Sequence, residues 1–300
     1  MKVILLGDTG QLGQSFTNLA VDNTLEYHSF NRSNLDVLNL EEFFTRADSI
    51  DANFLINMIA FTDVNKAEEQ KEECALINHH FPERLSRYCS QRKIEIIHIS
   101  TDYVFDGTNT EPYNEIDKPN PLSEYGFSKY LGEKSILDSG CSGHIIRTSG
   151  LFSQYRTNFL KNMINLLATK KEVHVVNDQY FNPTYARDLA GFIMRIINQG
   201  SSNKKVELLH YSGDCPTSWY LFTKMIREIL IEKEIFLDTQ LSKINPISQK
   251  DFKSTAKRPL YSVLDNSKSY ERFQYTSSNW KFGLSESIKM LQADSFFNKY

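Results

Sequence analysis

The sequence predicts an α/β chain: a doubly wound parallel sheet with a smaller mixed domain toward the C-terminus. Three observations predict it. Through the first half, short apolar runs alternate with helix-like stretches, the order expected of parallel strands joined by crossover helices. The first apolar run passes directly into a glycine-rich turn and a further helix-like stretch. After about residue 150 the alternation loosens, with no linker, internal repeat or low-complexity segment at the change. Residues 1–152 are therefore expected to form the sheet domain, with 184–212 returning to it, and 153–183 and 213–300 to form a cap.

The elements follow in order. Residues 2–6, Lys-Val-Ile-Leu-Leu, make a run short and apolar enough for a buried parallel strand. Gly7-Asp8-Thr9-Gly10-Gln11-Leu12-Gly13 comes next, then a helix to about Ala20. Glycines at such a strand-to-helix turn permit a tight bend and let the backbone approach a pyrophosphate, which then sits on the free N–H groups of the helix. A second strand over 25–30 ends in Asn31-Arg32, 19 residues beyond Gly13. An acidic side chain there would grip the ribose hydroxyl of NAD, whereas an arginine accommodates a 2′-phosphate. Arg32 thus points to NADPH rather than NADH.

Residues 54–57 read as a strand, 72–90 as a helix and 94–100 as a strand delivering Thr101 at its carboxyl end. A loop over 111–121 with three prolines leads to a helix carrying Tyr125 and Lys129, and 144–148 is a further strand. Beyond it, 157–170 reads as helix, 173–176 as strand, 184–197 as helix and 206–210 as a strand returning to the main sheet. Ligands of such sheets bind beyond the carboxyl ends of the strands, where Gly7 and Thr101 both fall. Tyr125 and Lys129 share one helical face, and an ammonium beside a phenol favours the phenolate. With a hydroxyl from Thr101, these are the parts needed to protonate a carbonyl as a hydride arrives.

Bulk properties narrow the classes. The 300 residues, 40% hydrophobic and 24% charged, are those of an ordinary globular protein of about two domains. A net charge of −3 gives no reason to expect nucleic acid or an anionic membrane as partner, and no apolar run approaches the ~18 residues of a membrane span. Cys74, Cys89, Cys141 and Cys215 are scattered with no Cys-x-x-Cys pair, which argues against disulfide frameworks and zinc sites. Met1-Lys2-Val3 enters the first strand directly, leaving no room for a signal peptide. A cytoplasmic chain is expected. His79-His80 reads as surface or capping, and Trp219 and Trp280 as cap residues, with Trp219 placed after a loop where it could also meet a ligand. Asp102 has no nucleophile elbow to make it a triad acid.

Taken together, these segments resemble the dTDP-4-dehydrorhamnose reductase family of extended short-chain dehydrogenase/reductases, whose sheet domain is of the Rossmann type. The Gly-x-x-Gly-x-x-Gly spacing, the run from Asn57 to Glu68, Ser100-Thr101-Asp102-Tyr103-Val104-Phe105-Asp106-Gly107, Tyr125-Gly126 with Ser128-Lys129 and Gly132-Glu133, Asp178-Gln179 with Pro183-Thr184, and Arg258-Pro259 carry the resemblance. It implies NADPH-dependent reduction of the C4 ketone of a nucleotide-linked 4-keto-6-deoxy sugar. Gly7, Gly10, Gln11, Leu12 and Gly13 would hold the pyrophosphate, Asp36 and Val37 would lie near the adenine, and Ala60 and Thr62 near the nicotinamide. Thr101, Tyr125 and Lys129 would be catalytic, and Tyr103, Asn158 and Arg258 would meet the nucleotide sugar. A homodimer is implied as well; magnesium serves some relatives at that interface, and its ligands cannot be placed in this sequence. Two departures matter: Gly150 stands where the family pattern Arg-Thr-Ser-Trp has tryptophan, and Phe61 where tyrosine is usual. Three alternatives stay open: another 4-keto nucleotide sugar, an epimerase or dehydratase with tightly held NAD, and a binding subunit like the regulatory subunit of methionine adenosyltransferase.

Overall fold

A computed structural model describes residues 1–22, 25–200 and 205–300. Strand β1 (Lys2–Leu6) has Val3 to Leu6 fully buried, and its alternate side chains enter two cores: Val3 and Leu5 one, Ile4 and Leu6 the other. A strand covered on both faces reads as a continuous apolar run for this reason. Helix α1 (Gln11–Asp22) follows, then β2 (Glu26–Phe30), α2 (Glu41–Asp48) and β3 (Phe54–Asn57). Helices α3 (Val64–Glu69), α4 (Lys71–Ala75) and α5 (Phe81–Arg92) come next, then β4 (Glu95–Thr101), α6 (Glu124–Asp138) and β5 (Gly143–Thr148). Next come β6 (Leu151–Phe152), α7 (Phe159–Thr169), β7 (Glu172–Val176) and β8 (Tyr180–Phe181). The chain then returns through β9 (Thr184–Tyr185), α8 (Ala186–Gln199) and β10 (Val206–His210). It ends in β11 (Thr217–Ser218), α9 (Trp219–Glu232), β12 (Lys243–Ile247), α10 (Ser267–Phe273) and α11 (Trp280–Ala293).

Six strands form one parallel sheet in the order β10-β5-β4-β3-β1-β2. The winding reverses between β1 and β3, the point where such sheets leave a crevice for a ligand. Leu6 is in register with Asn57, and Thr101 with Thr148, so Gly7, Met58, Asp102 and Ser149 emerge along the same carboxyl edge. Helix α8 joins α1 on one face through Leu189, Phe192 and Ile193. Phe43, Leu85 and Ile136 bring α2, α5 and α6 to the other. A separate core, in the part of the chain expected to form the cap, gathers Leu160, Val173, Phe181, Phe222 and Trp280 with Phe152. Among the described residues, no helix is long and apolar enough to cross a membrane.

Two elements differ from the sequence expectation. The helix expected over 72–90 is interrupted by a π-helical turn, Leu76–His80. The extra residue turns Asn78 inward, where its amide accepts from the Phe61 N–H at 2.9 Å and donates to the Phe61 carbonyl at 3.0 Å. The helix expected from 184 begins at Ala186 because Thr184 and Tyr185 first pair with Leu151 and Phe152.

Candidate active site

The turn after β1 is built so that α1 can close on it. Gly7 has a φ of 91°, and a Cβ on Gly13 would lie 2.2 Å from the Gly7 carbonyl oxygen, so no other residue fits there. The first N–H groups of α1, which its own carbonyls cannot reach, open onto a groove of about 850 Å³. Gly7, Gly10, Gln11, Leu12 and Gly13 line one end, with Arg32, Asp36 and Val37 beyond β2. Ala60 and Thr62, beyond β3, line the middle, and Thr101, Tyr125 and Lys129 the far end. A smaller cavity of about 170 Å³ adjoins that far end and shares Thr101, Asp102, Tyr125 and Gly150 with it.

Helix α6 presents Tyr125 because Ser123 caps it, accepting from the Gly126 N–H at 3.2 Å. Gly126 lets the helix press on the Tyr103 carbonyl, where a Cβ would approach to 2.1 Å. The Thr101 hydroxyl stands beside the Tyr125 phenol, whose pKa burial pushes above its ordinary value. That hydroxyl donates to Asp102 Oδ1 at 3.1 Å and accepts from the Tyr103 N–H at 3.2 Å. Asp102 also accepts from Ser149 at 2.7 Å and from Ser262 of the cap at 2.5 Å, and burial lifts its pKa to about 6 despite these donors.

Lys129, buried on the same helix, donates to the Ile99 carbonyl at 2.6 Å and lies 3.1 Å from His98 Nε2. Asn57 Oδ1 accepts from the Ile59 N–H, so its amide NH₂ faces His98 Nδ1 at 3.1 Å and that nitrogen accepts. The proton of neutral His98 is therefore on Nε2, pointing at the lysine. An ammonium would oppose that N–H, whereas an amine accepts it. Burial accordingly brings Lys129 down to about 8 and holds His98 well below its ordinary range. Below this cluster, Glu133 pairs with Arg147 through two bonds of 2.9 and 2.7 Å and accepts from Ser100 at 2.5 Å, tying α6 to β4 and β5.

The remaining residues named from the sequence occupy different places. Tyr103 lines the small cavity, and burial raises its phenol to about 12. Arg258 lines neither cavity and stands on the rim, donating to Ser254 Oγ at 3.1 Å and Asn65 Oδ1 at 3.5 Å, with the Tyr103 hydroxyl and the Phe252 ring also beside it. Asn158 lines the large groove, not the small cavity. Its amide is already engaged, donating to Gln11 Oε1, Ser153 O and Tyr155 O while Oδ1 caps α7. Arg32 makes no hydrogen bond or ion pair among the described residues. Sequence reasoning missed His98, Asn57, Asn78, Ser149 and Ser262. No spacing rule marks them, because each reaches its partner across the fold.

A doubly wound sheet with a glycine-lined groove at its switch point, and a tyrosine–lysine helix at the groove's far end, is the plan of extended short-chain dehydrogenase/reductases. The chain is an NAD(P)H-dependent oxidoreductase of that class. The family profile described as RmlD substrate binding domain matches residues 1–293. A dTDP-4-dehydrorhamnose reductase of Aggregatibacter actinomycetemcomitans is 33% identical over 94% of this chain and 97% of its own length. Among solved structures, a dTDP-4-dehydrorhamnose reductase of Clostridium acetobutylicum superposes with a TM-score of 0.88 at 34% identity, covering 97% of this chain and 100% of that one. The reductase of Bacillus anthracis, solved in complex with NADP, gives 0.86 at 28% identity, with 96% and 99% covered. The chain belongs to the dTDP-4-dehydrorhamnose reductase family.

Proposed function

We propose that the chain uses NADPH to reduce the C4 ketone of a nucleotide-linked 4-keto-6-deoxy sugar, with dTDP-4-dehydro-L-rhamnose as the substrate. The observation that carries this reading is the shared wall: the dinucleotide-sized groove and the smaller cavity meet at Thr101 and Tyr125. The names of the relatives support the sugar-nucleotide class.

The residues present fit the cofactor. The glycine cradle leaves no room for a Cβ at position 13, the start of α1 offers free N–H donors, and the buried Thr148 hydroxyl in the groove has no partner among the described residues. Gly7, Gly10, Gln11, Leu12 and Gly13 would hold the pyrophosphate, Asp36 and Val37 the adenine end, and Ala60 and Thr62 the nicotinamide side. Arg32 is free to meet a 2′-phosphate, and Asn31, which spends its amide on Asp8 at 2.9 Å, offers no carboxylate to a ribose. When bound, the reduced nicotinamide supplies the hydride.

Tyr125 gives its phenolic proton to the ketone oxygen as it becomes an alcohol, and Lys129 in its ammonium form stabilises the phenolate left behind. Thr101 orients the carbonyl once its proton turns from Asp102. Arg258, whose present partners are neutral oxygens, keeps its charge for the diphosphate, and Tyr103 faces the sugar. Asn158 acts in this reading through Gln11, fastening the glycine turn to the cap. Residues 1–152 and 184–212 thus serve the cofactor, and 153–183 and 213–300 the sugar nucleotide. Magnesium has no part in the reaction so drawn; the His79, His80 and Glu83 grouping at metal spacing is nitrogen-rich, a poor donor set for that ion. A homodimer belongs to the same reading, and sedimentation of the purified chain reads it.

The test is NADPH oxidation with dTDP-4-dehydro-L-rhamnose, with NADH run alongside. Turnover that favours NADPH is expected. Binding of NADPH without turnover would reject this sugar and favour a different 4-keto nucleotide sugar, a second reading for which Gly150 and Phe61 speak.

A further inference from the structure

The small cavity is closed on its cap side by aromatic rings, and their arrangement follows from one glycine. Gly150 has a φ of 54°, and a Cβ there would lie 2.3 Å from the Phe181 ring. Any side chain at 150 would displace Phe181. Phe181 is stacked on Trp219, ring centroids 3.9 Å apart and planes 23° apart, and Phe159 meets the same indole at 4.4 Å. Trp219 is the first residue of α9 and cannot drift. Ser218, before it, accepts from the Leu221 N–H at 3.2 Å and donates to Asn177 at 3.0 Å.

The indole is thus held by two rings and a capped helix, and what remains of its surface lines the cavity with Thr101 and Tyr125. Its N–H donates to no acceptor among the described residues. Aromatic residues with a polar tip serve where one end of a ligand is apolar and the other carries hydroxyls. A 6-deoxy sugar is such a ligand, with a methyl group and C–H faces beside its hydroxyls.

We infer that Trp219 is a specificity-determining residue that meets the sugar ring, placed there by the contact between Gly150 and Phe181. The inference rests on the small cavity being the sugar pocket. Trp219 gives the sugar a rigid apolar edge and one hydrogen-bond donor, and it lines the small cavity but not the cofactor groove.

The experiment combines calorimetry, protein fluorescence and kinetics, with dTDP-L-rhamnose and dTDP as probes. The chain has two tryptophans, and Trp280 is buried in the cap core, so a ligand-dependent change reports on Trp219. The expected result is a fluorescence change with dTDP-L-rhamnose, a smaller one with dTDP, and loss of the response in Trp219→Phe. Trp219→Ala should raise KM for the sugar nucleotide about tenfold or more, as expected for truncation of a contact worth over about 1.4 kcal/mol, with KM for NADPH unchanged. Trp219→Phe should recover part of the loss, since it keeps the stack on Phe181 without the N–H. Gly150→Ala should raise the same KM without altering Trp219 itself. Equal responses to dTDP and dTDP-L-rhamnose, or calorimetric affinity for dTDP-L-rhamnose unchanged in both Trp219 variants, would overturn the inference while leaving the sugar-pocket reading intact. If the wild-type protein binds neither probe, the substrate reading fails and the inference with it.

Discussion

Lys129 is a buried lysine with neutral partners, and that sets its chemistry. The histidine behind it and the carbonyl beside it suit an amine, while its task beside Tyr125 requires an ammonium. With a free-enzyme pKa of about 8, kcat/KM for NADPH should fall along a one-proton limb as pH rises through that value, read from a pH–rate profile. The stability sign is the opposite. Between about 8 and the ordinary lysine value of 10.5 the unfolded chain holds a proton that the native state has released, so stability should rise with pH across that window. Tyr125→Phe should keep NADPH affinity and lose roughly 10²–10⁴ in turnover, the usual worth of a general acid. Arg32→Ala should weaken NADPH by about tenfold while leaving NADH unchanged, measured as the ratio of kcat/KM values, because only one of the two carries the phosphate a guanidinium would bind. Thr101, Tyr125 and Lys129 were legible in the sequence because their spacing is local or set by a strand end. His98 and Asn57, 41 residues apart, were not, since only the pairing of β3 with β4 makes them neighbours.

At the scale of elements, helix α6 does two jobs with two residue types. Its glycines let it lie against backbone: a Cβ at Gly132 would stand 2.2 Å from the Asn78 carbonyl oxygen, and Gly126 is as close to Tyr103. Its Glu133 enters a buried pair with Arg147, each side chain no more than 2% exposed. Removing one partner of such a pair leaves a buried charge alone, so Glu133→Ala should cost about 3–5 kcal/mol in urea-induced unfolding. The same substitution should shift the Ser100–Thr101 segment and lower activity in the protein that remains folded. Strands of the main sheet were plain in the sequence as apolar runs. The π-helical turn was not, because Asn78 looks helical until Phe61 supplies its backbone partners. The two-residue strands of the cap carry too little pattern to be read before their partners are known.

Across the whole molecule, the segment 213–300 meets the sheet through apolar packing, with Phe273 in the core beside Phe192 and Leu264 against Phe105, and through polar contacts around the small cavity. Asp102 receives hydroxyls from both, Thr101 and Ser149 on one side and Ser262 on the other. Asn65 holds the loop before Arg258 through Ser254 at 2.8 Å. Asn65→Ala should therefore raise KM for the sugar nucleotide more than KM for NADPH, since it loosens the rim and leaves the glycine turn untouched. The return of 206–210 to the main sheet was visible in the sequence, while the aromatic seam between Gly150 and Trp219 was not. A bulky residue does not fit at 150 while Phe181 stands against it, so no single substitution places the family pattern's tryptophan there without damage. The two positions have to change as a pair, and among relatives a glycine at the first should travel with a ring at the second.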